Sequence, residues 1–544
     1  GFALGVVGYG IGNSVVLNGT SGINIYAARS DAAAGISLYG PGSTVTLNGA
    51  SHVTLDLYGG DSGVGIVGRG GGTKVTLSGE STVRTRGWYF NALYGIDLRD
   101  GDNFVTLNGD SSISATGSYV DAVEGIHLNG DRNTVVLNGS STVYAGGNNS
   151  VGYAAGILSR GDYASITMNG ASRVAAGGFG VEDAKGIRIN GYGSSVTLND
   201  DASIGVVAYG SGNRLGGIVL NNNSHMSATL NDNSYIETLG VAGIYVRDTS
   251  ESTVTLNGNS YIESIGDVGI HLHDVTDMTI EVGAGSFVRG TRAIQLRGDS
   301  NDIIVAGTLY ATNNNAITLN GFNNTITLNS GVVEGEIRGA GNGTDELVLQ
   351  GAGALGYRVR DIGALDVSAS GIWNLLDTGT FEVATINSGK LAVNGTLNAD
   401  SITVRDGGTL GGSGVVNGEV TVEAGGIIAP GNSPGTLNIV GNTTLNSGSI
   451  FDVEIEGLLA DLLNVDGDVT IAPGAILTPH FLGGVDGFVG DVLTVTGGHT
   501  VTGAFLIGSG GAADYTDPTK VSLTAVSSSS MNGGLSAGAS TGFT

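Results

Sequence analysis

The chain has 544 residues, 98 of them Gly and none Cys, and 49 acidic against 22 basic residues give it a formal charge of -27. That balance makes nucleic acid and anionic membrane surfaces poor partners, because their sequence-independent attraction needs Lys and Arg. The lack of Cys excludes a disulfide framework and thiolate metal sites, and no run of about 18 apolar residues offers a membrane-spanning helix.

The sequence starts at Gly1 with neither Met nor a signal segment, so a processed or trimmed piece of a longer chain is expected. From there three phrases recur. The first is Gly-Ile, from Gly5-Val6 and Gly35-Ile36 to Ala316-Ile317, at a step of 30 or 31 residues through Ile218 and of 26, 26, 24 and 23 after it. The second is Val-Thr-Leu-Asn, as in Val45-Thr46-Leu47-Asn48 and Val196-Thr197-Leu198-Asn199. The third is an apolar residue near a Ser, such as Val83, Ile113 and Val143. Period-two alternation of β-branched residues between Gly and Asn turns predicts three short strands per repeat. One such coil cannot bury its apolar side chains, so coils must stack with each strand parallel to its equivalent. The predicted fold is all-β, a right-handed parallel β-helix, with handedness following the rule for parallel crossovers. Asn18, Asn48, Asn108, Asn138, Asn169, Asn199, Asn231, Asn257 and Asn329 fall at one corner, where stacked amides can form a ladder.

The shortening step lies between the third phrase and the next Gly-Ile, which predicts long loops from one corner of the first eight coils. This segment carries Tyr26, Tyr58, Trp88, Tyr89, Phe90, Tyr94, Tyr119, Tyr153, Phe179 and Tyr209, in a chain with only 6% aromatics. Exposed aromatics supply contact area at low entropic cost, so Trp88, Tyr89, Phe90, Tyr94, Tyr119, Tyr153 and Phe179 are the candidate binding residues. The competing reading is that these rings cover one another and the loop bases.

Near residue 340 the phrases fade, and five of the six Pro lie after residue 425. The expected organisation is a repeat region over 1–339, a second region over 340–525 and a flexible Ser- and Gly-rich tail over 526–544. Within the second region stand Gly407-Gly408-Thr409-Leu410-Gly411-Gly412-Ser413-Gly414 and Gly425-Gly426-Ile427-Ile428-Ala429-Pro430-Gly431-Asn432-Ser433-Pro434-Gly435-Thr436-Leu437. They resemble the C-terminal passenger region of Gram-negative type V autotransporters over about 150 residues. The resemblance implies a β-helical passenger exported to the cell surface, with residues of roughly 340–525 similar to the autochaperone segment that folds first. It also implies an outer-membrane β-barrel as the only link to a membrane, and no barrel-like strand pattern stands within this sequence.

Other motifs fit turns better than chemistry. Gly60-Asp61-Ser62-Gly63 matches a serine-protease nucleophile motif, but that fold needs more than the 61 residues upstream, and His52 is the only earlier His. Arg160-Gly161-Asp162 and Arg297-Gly298-Asp299 repeat an integrin-binding tripeptide at a turn position where other coils have Asn129-Gly130-Asp131 or Asn190-Gly191-Tyr192. Asp97, Asp100, Asp102, Asp131 and Asp162 read as solvated turn carboxylates, against the alternative of an acid pair or calcium site. The seven His read as surface imidazoles, and no metal site or cofactor is expected, although a strand would put His271 and His273 on one face.

The reading is a passenger, held at the bacterial cell surface or secreted after cleavage, that acts as a non-enzymatic adhesin. Its expected partner is a host-cell receptor or surface glycan, or another copy of the chain. The alternatives are a polysaccharide hydrolase or lyase on the same scaffold, and a self-associating protein that mediates aggregation.

Overall fold

The computed structural model describes residues 1–209, 216–482, 487–507 and 511–525, so the expected tail lies outside the described residues. Among them there is no helix; strands pair in parallel from coil to coil, forming a parallel β-helix. The chain divides into two units, Gly1–Asn324 with Val333–Gly335, and Thr325–Val332 with Glu336–Thr544.

In the first unit the Val-Thr-Leu phrase is the most regular stack. Val45, Val75, Val105, Val135, Ile166 and Val196 follow one another in register and lie in the core. Alternation explains this: in Thr44–Leu47 and its equivalents the first and third outward positions are partly exposed and the apolar ones buried. Each buried Val or Ile contributes about 1.5–3 kcal/mol, so the stack is a main source of stability. Shifting one coil by a residue would turn its whole apolar set outward.

The Asn after each phrase forms the expected ladder from Asn18 to Asn257, broken once; in the next two coils Gly283 and Ala306 take the position, so Asn329 does not join it. Asn48 donates to Asn18 at 2.9 Å, and Asn138, Asn169, Asn199, Asn231 and Asn257 each donate to the Asn one coil earlier at 2.8–2.9 Å. In between stands Ser78, which the Asn108 amide reaches only at 3.5 Å. A net hydrogen bond is worth about 1 kcal/mol. Asn138→Ala, which removes two ladder bonds, should therefore lower stability by about 1–2 kcal/mol, and Ser78→Asn should raise it by about 1 kcal/mol; urea denaturation midpoints check both.

The long loops expected in the early coils are paired chain. His52–Arg69, Thr82–Leu98 and Ser112–Asn129 run unbroken from the third phrase into the next Gly-Ile phrase, and pair with one another along that length. Further on the same path separates into two strands, as in Thr142–Gly147 and Val151–Arg160. The segment satisfies its backbone by pairing with the coils on either side, so extra length becomes extra sheet.

The second unit is built on the same plan with shorter coils. Trp373, Leu391, Leu410, Ile428, Phe451 and Leu477 stack in register at its centre and are fully buried. The Asp461 carboxylate accepts from the Gly435 and Glu454 N–H groups at 2.8 and 2.9 Å, which pins the Pro430–Gly435 turn to the following strand. Near its end the pairing becomes antiparallel: Lys520–Ala525 pairs with Phe488–Val495 on one side and Gly511–Asp514 on the other. Strands returning in the opposite sense cover an edge that a parallel stack leaves open.

Candidate functional site

The chain turns sharply between the third phrase and the next Gly-Ile phrase, and it does so through a left-handed residue at one position of each coil, Arg29 (φ 58°) in the coil before Gly59, with Asn149 (φ 64°) as a second beside Ser150. Gly59 (φ 72°), Tyr89 (63°), Tyr119 (57°), Ser150 (51°) and Gly180 (82°) hold this position, as the register of their neighbours shows. Glycine adopts such a φ freely, whereas a residue with a Cβ pays roughly 1–2 kcal/mol. Tyr89 and Tyr119 are nevertheless half exposed, at 52% and 50%, and their rings stack at 5.0 Å with Tyr58 edge-on to Tyr89 at 5.5 Å. The three rings make an aromatic ridge along the solenoid.

The seven aromatic candidates do not share one surface. Tyr89 and Tyr119 belong to the ridge, and Trp88 lies beside it in the lining of a cleft. Phe90 is only 4% exposed and fills the space over Gly60 and Gly87, because the left-handed residue before it reverses the alternation and turns it inward. Tyr94 and Tyr153 lie in a different, largely buried part of the sheet. Phe179 is well exposed at a turn, with Tyr209 at 6.4 Å, and both line a cleft of about 670 Å³ together with Tyr144.

Next to the ridge is a second cleft, of about 370 Å³. Its outward side chains step down along the coils. Arg86 and Trp88 are followed in register by Thr116 and Ser118, and Thr116 by Gly146, while Tyr144 closes the far wall. Asn148 and Asn149 complete the rim. The Tyr144 hydroxyl donates to the Gly177 carbonyl at 3.0 Å, which holds that wall in place.

Tyr94 and Tyr153, both partly buried, lie at a crease that alternation does not predict. At each Gly-Ile phrase two consecutive residues face the core: a Cβ on Gly95 would fall 2.4 Å from Ile113 Cγ2, and Ile96 is fully buried. The residues before and after this pair, three apart in sequence, therefore face each other outside. Tyr94 and Asp97 form one such couple, Glu124 and His127 the next, and Lys185 and Arg188 another two coils along. Apolar couples, Ala34 with Val64 and Val67 at one end and Ala242 with Tyr245 at the other, bracket the charged centre.

Asp97, Glu124 and His127 are 2%, 4% and 6% exposed. His127 Nδ1 lies 3.2 Å from Glu124 Oε2 and 3.8 Å from Asp97 Oδ1, and its ring stands 5.3 Å from that of Tyr94. Neither ring nitrogen has a hydrogen bond. Arg99 and, at longer range, Arg69 pair with Asp97. Burial pushes the Glu124 carboxyl up to about 7, against the pull of Arg160, and the same desolvation pushes His127 down to about 4 despite Asp97. Lys185, fully buried, is held by Asp183 and lies 4.4 Å above the Tyr153 ring; burial lowers its pKa and raises that of Tyr153. Asp97 is thus a buried strand residue and no turn carboxylate, and His127 is no surface imidazole. The crease is the main feature sequence reasoning missed. Its signal was available: comparing one position across coils puts Glu124 and Lys185 where Val64 and Ala155 stand.

The remaining turn carboxylates make coil-to-coil bonds. Asp100 accepts from the Gly70 N–H at 2.7 Å, and Asp102 pairs with Arg132. Both Arg-Gly-Asp tripeptides sit in this pattern. Asp162 accepts from the Tyr192 N–H and Asp299 from the Phe322 N–H, each at 2.8 Å, and Arg297 pairs with Asp274. At Gly298 a Cβ would fall 1.8 Å from the Val275 carbonyl oxygen, so close stacking demands that glycine. His271 and His273 share one strand with ring centroids 6.5 Å apart.

No family model matches the chain. It is 36% identical over 124 residues to the adhesin BmaC autotransporter of Brucella suis, a stretch covering 20% of this chain and 4% of that protein. The parallel β-solenoid and this partial similarity together fit an autotransporter passenger domain.

Proposed function

We propose that the chain is a surface-displayed or secreted passenger that works as a non-enzymatic adhesin, binding through the aromatic ridge of Tyr58, Tyr89 and Tyr119 with Trp88 beside it. The observation that carries this is the pair of tyrosines at left-handed φ. Glycine would turn the chain there without strain, as it does at Gly59 and Gly180, so two exposed rings are kept at a cost to stability. Strain held at an exposed aromatic surface is characteristic of a binding site, and repetition along the axis adds avidity. The similarity to an adhesin over part of the chain supports the same reading. The perturbed Glu124 and its neighbour Asp97 are covered, so neither can serve as the open carboxylate that polysaccharide hydrolysis needs.

The test is Tyr89→Gly with Tyr119→Gly. Relief of backbone strain, roughly 1–2 kcal/mol per site, offsets lost stacking of about 0.5–1.5 kcal/mol, so stability should hold within about 1 kcal/mol. Binding to mammalian epithelial monolayers should fall about tenfold or more. Undiminished binding by the folded double variant would remove the ridge from the adhesin reading.

A further inference from the structure

We infer that the cleft between Trp88 and Tyr144 is a binding site for a carboxylate-bearing sugar. This rests on the adhesin reading and names the ligand chemistry at one part of that surface. Three features of the cleft converge on that class.

The first is shape. The drop from Arg86 and Trp88 to Thr116, Ser118 and Gly147 leaves about 370 Å³ between two aromatic walls, room for one or two sugar rings. Trp88 is 37% exposed, so its indole face is available, and the Tyr144 ring is fixed by its bond to Gly177. Flat rings with a free face suit the C–H face of a pyranose, which is apolar on one side and hydroxylated around the rim.

The second is the type of polar group. Ser118, Asn148 and Asn149 offer a hydroxyl and two amides, each able to donate and accept, which is what a ring of hydroxyl groups requires. The third is charge. In a chain with formal charge -27, no Asp or Glu lines this cleft, and its one charged group is Arg86. Asp56 pairs in register with Arg86 from the opposite coil, on the side away from Thr116. A guanidinium matches the two oxygens of a carboxylate in a planar, bidentate way, so it selects an acidic sugar over a neutral one. By contrast, the larger cleft at Phe179 has Glu237 and Glu263 in its lining and lacks this preference.

Trp fluorescence of the full chain gives a direct readout. The chain has two Trp, and Trp373 is fully buried, so a change on adding saccharide reports Trp88. The probes are sialyllactose and trigalacturonate, each beside a neutral counterpart, lactose and the carboxyl-reduced trisaccharide. At least one acidic probe should change the emission and bind about tenfold or more tightly than its neutral counterpart. Arg86→Gln should cut that preference to within about twofold while leaving neutral binding in place, and Trp88→Phe should remove the signal but retain binding by calorimetry.

Equal binding of acidic and neutral probes, no binding of either, or a preference untouched by Arg86→Gln would overturn the inference. So would saturable binding of polyglutamate without binding of the sugars, which would assign the cleft to an acidic peptide. If the sugars fail and the Tyr89→Gly, Tyr119→Gly variant still loses cell binding, the sugar inference falls and the adhesin reading stands. If acidic sugars bind as expected while cell binding is indifferent to both sets of variants, the cleft stands and the adhesin reading falls.

Discussion

Glu124→Gln should make the protein acid-sensitive, and His127→Gln should make it base-sensitive, although the unmodified chain should show little slope from this pair between pH 4.5 and 6.5. The Glu124 carboxyl is raised from 4.5 to about 7, so its contribution is fully present below 4.5 and is lost as pH rises through 7. His127 is lowered from 6.5 to about 4, so its contribution is present above 6.5 and is lost as pH falls through 4. Over the shared window the two run in opposite directions and nearly cancel. Removing one exposes the other, with a swing of about 3 kcal/mol.

The surrounding charges set the size of this effect and not its sign. Glu124 feels Arg160, Arg188 and Lys185, which favour its ionised form, and Asp97, which opposes it; His127 feels Asp97 against Arg160 and Arg99. Burial outweighs them in both cases. The measurement is hydrogen exchange of the strands Ser112–Asn129 and Val151–Arg160 between pH 4 and 8, because a solenoid opens locally and a single global midpoint averages over coils. Parallel pH profiles for Glu124→Gln, His127→Gln and the unmodified protein would show that the crease is solvated and that the two groups titrate normally.

How much of this could be read from sequence depends on which residues break the period. The Val45-to-Val196 stack was legible because parallel strands in register require the same apolar residue at the same step, and nothing interrupts that four-residue strand. The Asn ladder was legible for the same reason. The segment around Tyr119 was not. One left-handed residue shifts the alternation by a position, so Thr116 to Val123 reads as irregular although it is paired on both sides. That phase shift also hid the burial of Phe90. The crease escaped for a related reason: period-two reasoning places Glu124 and His127 on opposite faces, and only two consecutive inward residues bring them together. Tyr89 and Tyr119 stood among the aromatic candidates, but as loop residues, and their stacking with Tyr58 was not legible, since composition does not mark backbone path.

The glycine that makes the crease gives the second large effect. A Cβ on Gly125 would lie 2.5 Å from the Gly156 carbonyl oxygen and 2.6 Å from Val143 Cγ1. The oxygen belongs to the backbone of the next coil, which pairing on both sides holds in place, so relief must come from separating coils or from moving Val143. Overpacking of this kind costs about 1–3 kcal/mol for one methyl and more for a branched side chain. Gly125→Ala should therefore lose about 2 kcal/mol, and Gly125→Val more than about 3 kcal/mol or fail to fold. The backbone is not of one kind along the solenoid, since Ala293 and Ala316 hold the same phrase position in the shorter coils and are buried there. The penalty should thus be confined to the coils that keep Gly at this position, and Gly269→Ala, at 2.5 Å from Val288 Cγ1 and 2.7 Å from the Ala293 carbonyl, lies on the costly side of that border. Because the same Gly125 sets how closely Glu124 faces His127, a folded Gly125→Ala protein should also let water into the crease and flatten the pH slope that His127→Gln produces. Hydrogen exchange on Gly125→Ala with His127→Gln reads both consequences, and a full slope in a destabilised double variant would separate crease geometry from the burial of Glu124.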